Sequence, residues 1–421
     1  MVELDHLLSM DAPADQPWRT DPDRYWRDLD DAVRQYDSPV AALSLPALRH
    51  NSEDLRRRAG GVPLRIASKS LRVRPVIDAL VRLDHVVGVL AYDLAEALWL
   101  ATDGPDRAGI ADVLMGYPST NRQAITALCS DDVALQRVTL LVDAVEQLDL
   151  IDAVRAPERR GPVRIAIDLD ASLRLPVIGD LGVLRSPVHT DDEALKLARH
   201  IIARPGFTLV GVMSYEAQVA GVGNDVPGKA LQNRLIRGIQ RASMTELRSR
   251  RRRVIAAIGE LADLQLVNAG GTGSIEQTAR DPSVTDIAVG SGFFGGHLFD
   301  NYRHFAPAPA LAFALAVVRK PRADVVTCHG GGWIASGAPA TDRLPRPVWP
   351  AGLQYQSREG AGEVQTPLRG AAARSLRVGD RVWFRHTKSG ELSEHVNTIT
   401  LVGNGPTGDV LTYRGEGKAF L

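Results

Sequence analysis

The chain has 421 residues, 44% of them hydrophobic, which is enough for two domains or for one large barrel with an appended domain. Lys and Arg total 50 residues and Asp and Glu also total 50, so the formal charge of zero argues against nucleic acid or an anionic membrane surface as the main partner. Two cysteines, Cys129 and Cys328, cannot build a disulfide framework, and the chain shows neither a secretory signal pattern nor an apolar stretch of membrane-spanning length. We therefore predict a cytoplasmic protein.

The predicted elements begin with a lead-in segment over residues 1–38, rich in Asp, Arg, Trp and Pro, with a short helix around 24–36. A strand at 39–45 and a helical pattern at 45–59 follow. Strands and helices then alternate, with buried-type strands at 65–69, 85–90, 111–117, 138–142, 163–168, 207–213, 264–268 and 285–289. Alternation over roughly 270 residues implies a parallel sheet, and the number of repeats favours a closed (β/α)8 barrel.

The texture changes after about Arg322, where Gly, Pro and short alternating runs such as 380–385 and 399–402 indicate a small antiparallel β domain. The predicted organisation is thus the lead-in, a barrel over 39–322 and a C-terminal β domain over 323–421, with the strand at 39–45 close to the boundary of that domain. A basic run at 248–253 is predicted to be a solvated helix face.

One predicted barrel strand ends in a lysine, Lys69, within Arg65-Ile66-Ala67-Ser68-Lys69. Burial lowers the pKa of a lysine, and the neutral amine can then form a Schiff base. The alternative is a lysine that simply reaches solvent, as most lysines do.

Two glycine turns follow the last predicted strands. Asn268-Ala269-Gly270-Gly271-Thr272-Gly273-Ser274 precedes a short helix at 275–280, and Val289-Gly290-Ser291-Gly292 follows the next strand. Backbone N–H groups of such turns converge on phosphate, and the hydroxyls and the helix N-terminus add to the site. Late strands of a barrel commonly carry phosphate sites, whereas a single glycine turn is explained by loop closure alone.

Together, Lys69 and the late Gly-Gly-Thr-Gly turn resemble those of the fold-type III pyridoxal-phosphate enzymes, the alanine racemase-like barrels. The D-threonine aldolase and D-serine dehydratase branch is the most similar. Met213-Ser214-Tyr215-Glu216 resembles the strand end beside the cofactor ring of that branch, and Asp168-Leu169-Asp170-Ala171-Ser172-Leu173-Arg174 resembles the strand whose arginine holds the ring. The resemblance covers residues 40–420.

The resemblance implies a role for each matching residue. Lys69 would form the Schiff base with pyridoxal phosphate and then act as acid and base at the substrate α-carbon. Tyr215 would lie against the cofactor, and Arg174, with Arg185 as its rival, would hold the ring. The phosphate would be held by Gly271, Thr272, Gly273, Gly290 and Ser291. The alternatives are a core tyrosine for Tyr215 and surface ion pairs for the arginines.

Relatives of this branch also place a divalent ion beside the cofactor, using a histidine and a Cys or Asp two positions later. The nearest pattern here is His395 and Asn397, and an amide is a poorer ligand for zinc or manganese than a thiolate or carboxylate. His386 and the adjacent pair Cys328-His329 are alternatives. We also expect His329, Lys388 and His395 as acid, base or substrate-carboxylate groups, with His329 counted as catalytic together with Lys69 and Tyr215.

These implications lead to a pyridoxal-phosphate-dependent lyase that acts on a D- or β-hydroxy amino acid by aldolase cleavage or by dehydration and deamination. One alternative is an amino-acid racemase, whose second base would be Tyr355 of the partner subunit or Tyr413 of the partner subunit. The other is a cofactor-holding protein without robust turnover, against which the complete β domain argues. A homodimer is expected from the resemblance.

Overall fold

The computed structural model describes residue 4, residue 13 and residues 15–105, 107–175, 179–338, 340–388, 390–403 and 406–421. The lead-in predicted for residues 1–38 is therefore described only in part. Its described portion forms helix α1 (Pro17–Thr20) and helix α2 (Pro22–Ala32). The Asp21 side chain caps α2 by accepting a hydrogen bond from the N–H of Arg24, and Pro22 at the first position needs no such partner.

The strands form two large sheets and one hairpin. The antiparallel-rich sheet contains β1 (Val40–Ser44), β12 (Leu311–Arg322), β13 (Val325–His329), β14 (Arg346–Trp349), β15 (Gln354–Tyr355), β16 (Gln365–Arg369), β17 (Arg381–Arg385), β18 (Thr398–Val402) and β19 (Pro406–Leu411). The barrel contains β2 (Leu64–Ala67), β3 (Val86–Ala91), β4 (Val113–Met115), β5 (Val138–Val142), β6 (Val163–Asp168), β9 (Phe207–Ser214), β10 (Leu266–Ala269) and β11 (Asp286–Val289). Strands β7 (Leu173–Leu175) and β8 (Gly179–Leu181) pair as the hairpin.

The eight barrel strands are parallel and closed in the order β10-β11-β2-β3-β4-β5-β6-β9, which confirms the predicted fold class of a (β/α)8 barrel followed by an antiparallel domain. The nine-stranded sheet follows the order β15-β16-β13-β12-β1-β18-β19, and β17 pairs with β12 and β14. Phe313 of β12 stacks on Phe384 of β17 with ring centroids 5.3 Å apart, so aromatic packing joins adjacent strands of this sheet.

The remaining helices are α3 (Leu45–Ala59), α4 (Arg74–Val81), α5 (Leu94–Ala101), α6 (Arg122–Leu128), α7 (Asp132–Arg137), α8 (Val145–Val154), α9 (Asp191–Ala203), α10 (Ala217–Ala220), α11 (Ala230–Gly259), α12 (Ile275–Thr278) and α13 (Ser291–Phe294). Thr190 and Glu193 form a capping box at the start of α9, as their spacing favours. Within the described ranges, no helix combines the length and the apolar character needed to cross a membrane.

The basic run at 248–253 lies on α11, and its prediction as a solvated face is wrong for two of its arginines. Arg250 is 3% exposed and donates hydrogen bonds to the carbonyl oxygens of Asp170 and His189. Arg251 is fully buried and donates to Asp281 Oδ2 over 2.8 Å. A run of identical charges cannot indicate which side of the helix faces carbonyls and carboxylates that come from distant parts of the chain.

The chain divides into two compact units. One contains the described residues up to 54 together with 69–80 and 290–419, and the other contains 55–68, 81–289 and 420–421. The sequence predicts that residues 39–322 form the barrel and that the β domain begins after residue 322. In the structure, β1 and β12 lie before that point but belong to the antiparallel-rich sheet, where β1 pairs with β12 and with β18. All five residues of β1 are buried, and a continuous apolar run is equally typical of a barrel strand and of a central strand in another sheet.

A charged cluster occupies one end of the barrel lining. Arg65 of β2 is 1% exposed, and it donates to Asp286 Oδ1 of β11 and to both carboxylate oxygens of Asp112, each over 2.9 Å. Gly88 makes room for it, since a Cβ there would lie 2.9 Å from Arg65 Nη1 and 2.3 Å from the Asp112 carbonyl oxygen. The neighbouring barrel positions pack as an apolar cluster of Leu114, Leu141, Ala166, Met213 and Leu266.

We predict that Arg65→Met lowers the free energy of unfolding by about 3–5 kcal/mol, because it leaves the buried Asp286 carboxylate without its cation. Urea denaturation measures the loss. Asp112→Asn is the control: the Asp112 side chain is 37% exposed, so we expect a loss closer to about 1 kcal/mol. Equal stability of Arg65→Met and the parent protein would show that the pair does not hold the barrel.

Candidate active site

The strand order sets β10, β11 and β2 side by side, and each leads at its carboxyl end into one of the segments singled out above. Strand β10 leads into Gly270–Ser274, β11 leads into Gly290, and β2 leads into the 3-10 turn Ser68–Ser70 that contains Lys69. In barrels of this class the loops at the carboxyl ends of the strands carry the chemistry. The roles of Lys69 and of the glycine turns remain predictions.

Tyr215 packs directly against the first glycine turn. A Cβ at Gly271 would lie 3.1 Å from Cε2 of Tyr215 and 3.0 Å from Cβ of Ala220. Any larger residue at position 271 would therefore push the tyrosine ring or the turn away. The close approach of the ring therefore favours glycine at this position.

The turn is anchored by Glu216, whose side chain is fully buried. Its carboxylate accepts hydrogen bonds from the Gly270 N–H over 3.2 Å, from Ser274 Oγ over 3.2 Å and from the Thr278 hydroxyl. Arg251 Nη2 lies 3.6 Å from this carboxylate, so the buried negative charge has a buried cation beside it. Glu216 thereby determines the shape of the glycine turn.

A second buried cation lies on the other side of the turn. Arg58 at the end of α3 has a side chain that is 3% exposed, and its Nη2 donates to the Thr272 carbonyl oxygen over 2.7 Å. Its Nε donates to Glu276 Oε1 over 2.7 Å. Sequence patterns did not mark Arg58 or Glu216 as functional residues. Arg58 stands in a run with Arg56 and Arg57 that looks like a solvated helix end, and only Glu216 carried a signal, as the neighbour of Tyr215.

A small cavity lies at the mouth of the barrel. Its lining includes Tyr117, Asp168, Arg185, Met213 and Tyr215. The Arg185 guanidinium lies 5.8 Å from the centre of the Tyr117 ring. Burial raises the pKa of Tyr215 to about 12, to which Tyr117 and Glu216 contribute, while Arg185 opposes the shift. Tyr215 therefore presents a protonated hydroxyl at neutral pH.

Asp168, at the last position of β6, has the most unusual electrostatics of this cavity. Burial, together with the charges of Asp143 and Asp170, raises its pKa to about 7 against the opposing charge of Arg185. A carboxyl group that titrates near neutral pH can give or take a proton, which is typical of catalytic positions.

The two arginines proposed for the cofactor ring, Arg174 and Arg185, have different surroundings. Arg174 lies on the β7–β8 hairpin with its side chain 45% exposed, 3.6 Å from Asp170 Oδ2, and the described lining of the cavity includes Arg185 instead. On this geometry Arg185 is the stronger candidate for holding the ring, and the roles of both arginines stay predictions. Arg174 lies within the hairpin, where it pairs with Asp180, whereas Arg185 follows the hairpin and lines the cavity.

The other residues predicted to hold the phosphate lie in the two glycine turns. Thr272 and Gly273 are buried within the first turn. Gly290 precedes α13, and Ser291 at its start donates from Oγ to Ser70 Oγ over 3.2 Å. The serine of the second turn is thus hydrogen-bonded to the residue that follows Lys69.

The residues predicted to bind a metal ion contact other protein groups. The His395 ring stacks on Trp333 with centroids 5.0 Å apart, and the Asn397 carbonyl oxygen accepts from the Thr412 N–H over 3.0 Å. His386 is buried, which lowers its pKa to about 3, and its Nδ1 lies 3.2 Å from the Leu311 carbonyl oxygen. Among the residues that the structure describes, no group of three or more His, Cys, Asp or Glu side chains is placed so that it could hold a metal ion. Ligation by His395 and Asn397 remains a prediction.

Cys328 and His329 cannot act as a chelating pair. They are adjacent on β13, where successive side chains point to opposite faces, and Cys328 is fully buried while His329 is exposed. Burial raises the pKa of the Cys328 thiol to about 12, so it stays protonated. His329 is exposed, and its catalytic role stays a prediction.

Asp168→Asn is predicted to stabilise the protein by roughly 2–4 kcal/mol at pH 8, with a gain that shrinks as the pH falls toward 5. The pKa of Asp168 is raised from 3.8 to about 7, so its contribution to stability is present below about pH 4 and is lost as the pH rises through 7. Urea denaturation at several pH values measures this, with Asp192→Asn on the exposed face of α9 as control. A gain that does not vary with pH would contradict the assignment.

Comparison with known proteins supports the family named above. Residues 43–297 match the model of the alanine racemase, N-terminal domain family. No curated protein matches the chain by sequence.

Solved structures share the fold over nearly the whole chain. The D-threonine aldolase of Filomicrobium marinum is 17% identical with a TM-score of 0.74, covering 91% of this chain and 96% of that chain. The D-threo-3-hydroxyaspartate dehydratase of Delftia sp. HT23 is 18% identical with a TM-score of 0.66, covering 90% of this chain and 97% of that chain. The alanine racemase of Bacillus anthracis is 14% identical with a TM-score of 0.59, covering 90% of this chain and 99% of that chain. These likenesses show the shared fold, and the match over residues 43–297 shows that this chain belongs to the alanine racemase N-terminal domain family.

Proposed function

We propose that this protein is a pyridoxal-phosphate-dependent lyase that acts on a D- or β-hydroxy amino acid, by aldolase cleavage or by dehydration and deamination. The observation that carries the proposal is Lys69 directly after β2 in a barrel of this family, with β10 and β11, which lead into the glycine turns, next in the strand order. Two similar structures are named as a D-threonine aldolase and a D-threo-3-hydroxyaspartate dehydratase, and both names describe lyase reactions of D-amino acids.

The residues present fit pyridoxal phosphate. Gly271 has no side chain of its own and the Tyr215 ring packs against it, an arrangement that suits a phosphate beside a flat ring. Arg58 brings a buried cation to the backbone of the same turn. Gly271, Thr272 and Gly273, with Gly290 and Ser291, would hold the phosphate, and Tyr215 and Arg185 would hold the ring.

Bound pyridoxal phosphate withdraws electrons from an attached amino acid and so weakens the bonds at the α-carbon. Lys69 would supply the amine that attaches the cofactor and, once the substrate amine has replaced it, would move a proton at the α-carbon. Asp168 can hold or release a second proton near neutral pH, and Arg185 beside it favours the ionised form. Which proton is removed first decides between cleavage of the carbon chain and loss of the β-hydroxyl group.

The racemase alternative is favoured by one observation, the shared fold with an alanine racemase. It requires a second base on the opposite face of the substrate, for which Tyr355 of the partner subunit or Tyr413 of the partner subunit is the candidate. Within this chain the Tyr355 hydroxyl donates to the Pro345 carbonyl oxygen. The alternative of a cofactor-holding protein is disfavoured because the similar enzymes cover the antiparallel-rich sheet as well as the barrel. A homodimer, a cytoplasmic location and a divalent metal remain parts of the proposal.

We predict that the purified protein with added pyridoxal phosphate shows a visible absorbance band, and that Lys69→Ala abolishes it because the attaching amine is lost. Borohydride reduction followed by peptide mapping will then place the cofactor on residue 69. Lys196→Ala, on barrel helix α9, is the matched control and should keep the band. A cofactor found on another lysine would refute the proposal.

We further predict that exhaustive chelation reduces turnover only if His395 or His386 binds a metal. The loaded protein is incubated with D-threonine, D-serine and D-alanine, with and without manganese or zinc. Glycine from D-threonine indicates an aldolase, ammonia from D-serine indicates a dehydratase, and L-alanine indicates a racemase. Full activity after chelation would remove the metal from the proposal, and activity restored to the parent protein but not to His395→Ala would support it.

A further inference from the structure

The segment Lys69–Arg72, here called the lysine turn, directly follows barrel strand β2 but belongs to the compact unit of the antiparallel-rich sheet. We propose that Gly390 and Glu394 of that unit are positioning residues for Lys69. The proposal rests on the function proposed for Lys69 and adds the residues that hold this lysine in place.

Three backbone carbonyl groups of the lysine turn accept hydrogen bonds from within this unit. The Lys69 carbonyl oxygen accepts from Arg72 Nε over 3.0 Å. The Leu71 carbonyl oxygen accepts from Ser393 Oγ over 2.7 Å, and the Arg72 carbonyl oxygen accepts from the Tyr413 N–H over 2.8 Å. Two of these donors come from residues that follow the turn by more than 300 positions, so the turn is held by tertiary contacts.

Glu394 holds the arginine that binds the Lys69 carbonyl group. Arg72 has a φ of +55°, a left-handed conformation that is strained for a residue with a Cβ. Its Nη1 lies 2.5 Å from Glu394 Oε1, and the side chains of the pair are 17% and 36% exposed. The carboxylate thus stabilises both the strained backbone of Arg72 and the guanidinium that donates to Lys69.

Gly390 lies against the same carbonyl group. It has a φ of +70°, and a Cβ there would come 2.4 Å from the Lys69 carbonyl oxygen and 3.1 Å from Arg72 Nε. A carbonyl oxygen of the main chain cannot rotate away as a long side chain can. Any side chain at position 390 must therefore move either its own segment or the lysine turn.

A reactive lysine is sensitive to displacements of this size. The amine of Lys69 must reach both the cofactor and the substrate α-carbon, and a misplacement of about 1 Å can cost a factor of about 100 in rate. Gly390 determines how closely its own segment approaches the Lys69 carbonyl group. Glu394 determines the orientation of the Arg72 guanidinium. Neither residue needs to touch the substrate for this role.

The test uses the full-length protein in three variants. Glu394→Gln keeps the shape and removes the charge, Glu394→Asp keeps the charge, and Gly390→Ala adds the Cβ. The first readout is the rate at which acetic anhydride labels Lys69 before any cofactor is added, followed by mass spectrometry, with Lys196 in the same sample as internal reference. Because a released turn opens more often, we expect about threefold faster labelling of Lys69 in Glu394→Gln and Gly390→Ala. We expect Glu394→Asp to recover part of the difference.

The second readout is turnover after loading with pyridoxal phosphate. We expect kcat of Glu394→Gln to fall about tenfold while KM changes less than about twofold, because substrate contacts are kept. Asp30→Asn is the matched control, since it breaks the Asp30–Arg381 ion pair of the same unit, whose side chains are 23% and 14% exposed. It should leave both readouts unchanged.

The inference is overturned if Lys69 is labelled in Glu394→Gln and Gly390→Ala at the rate of the parent protein. The labelling experiment needs no cofactor, so it decides the role of Gly390 and Glu394 even if Lys69→Ala keeps the absorbance band and the proposed function fails. Loss of the band in Lys69→Ala together with unchanged labelling would retain the proposed function and remove the positioning role.

Discussion

The pairing of β11 with β2 closes the barrel, and the placement of the candidate site depends on it. Ile287 pairs with Leu64, Ala288 with Arg65, and Val289 with Ile66. The register is reinforced by the buried ion pair of Arg65 on β2 and Asp286 on β11. A shift of one residue would turn every side chain of β2 to the other face of the sheet and would separate this pair. Closure makes neighbours of strands that lie far apart in the chain, one of which ends before a lysine and the other before a glycine turn.

Buried charge is the second feature that organises the molecule. Glu216 beneath the first glycine turn is compensated by Arg251, and Arg251 is compensated in turn by Asp281. Each of these groups would be costly to bury alone, and together they fix a polar turn inside an apolar shell. Asp168 differs from them because burial, together with the charges of Asp143 and Asp170, raises its pKa to about 7 against the opposing charge of Arg185. Glu216 and Asp281 thus have a buried cation beside them, whereas Asp168 has carboxylates as well as Arg185.

Part of the candidate site is visible as local sequence patterns, and the residues that these patterns do not mark were missed for physical reasons. The Lys69 strand end, the glycine turn and Tyr215 are local patterns, in which residue type and spacing carry the chemistry. The choice between Arg174 and Arg185 depended on the path of a hairpin, which spacing does not encode. Arg58 and Arg250 were hidden in runs of like charge, because a helix surface reveals its buried side only through the partners that other elements bring.

By itself, the sequence determined the alternation of strands and helices and the closed barrel class, because hydrophobic periodicity and turn residues act over short ranges. The resemblance of the Lys69 strand end and the glycine turn to known motifs indicated the family. Tertiary structure alone decided that β1 joins the antiparallel-rich sheet, that Arg185 lines the cavity and that Gly390 and Glu394 hold the lysine turn. These outcomes depend on contacts between residues far apart in the chain, such as Arg72 and Glu394. Such contacts arise only when the backbone closes on itself, so no local pattern contains them.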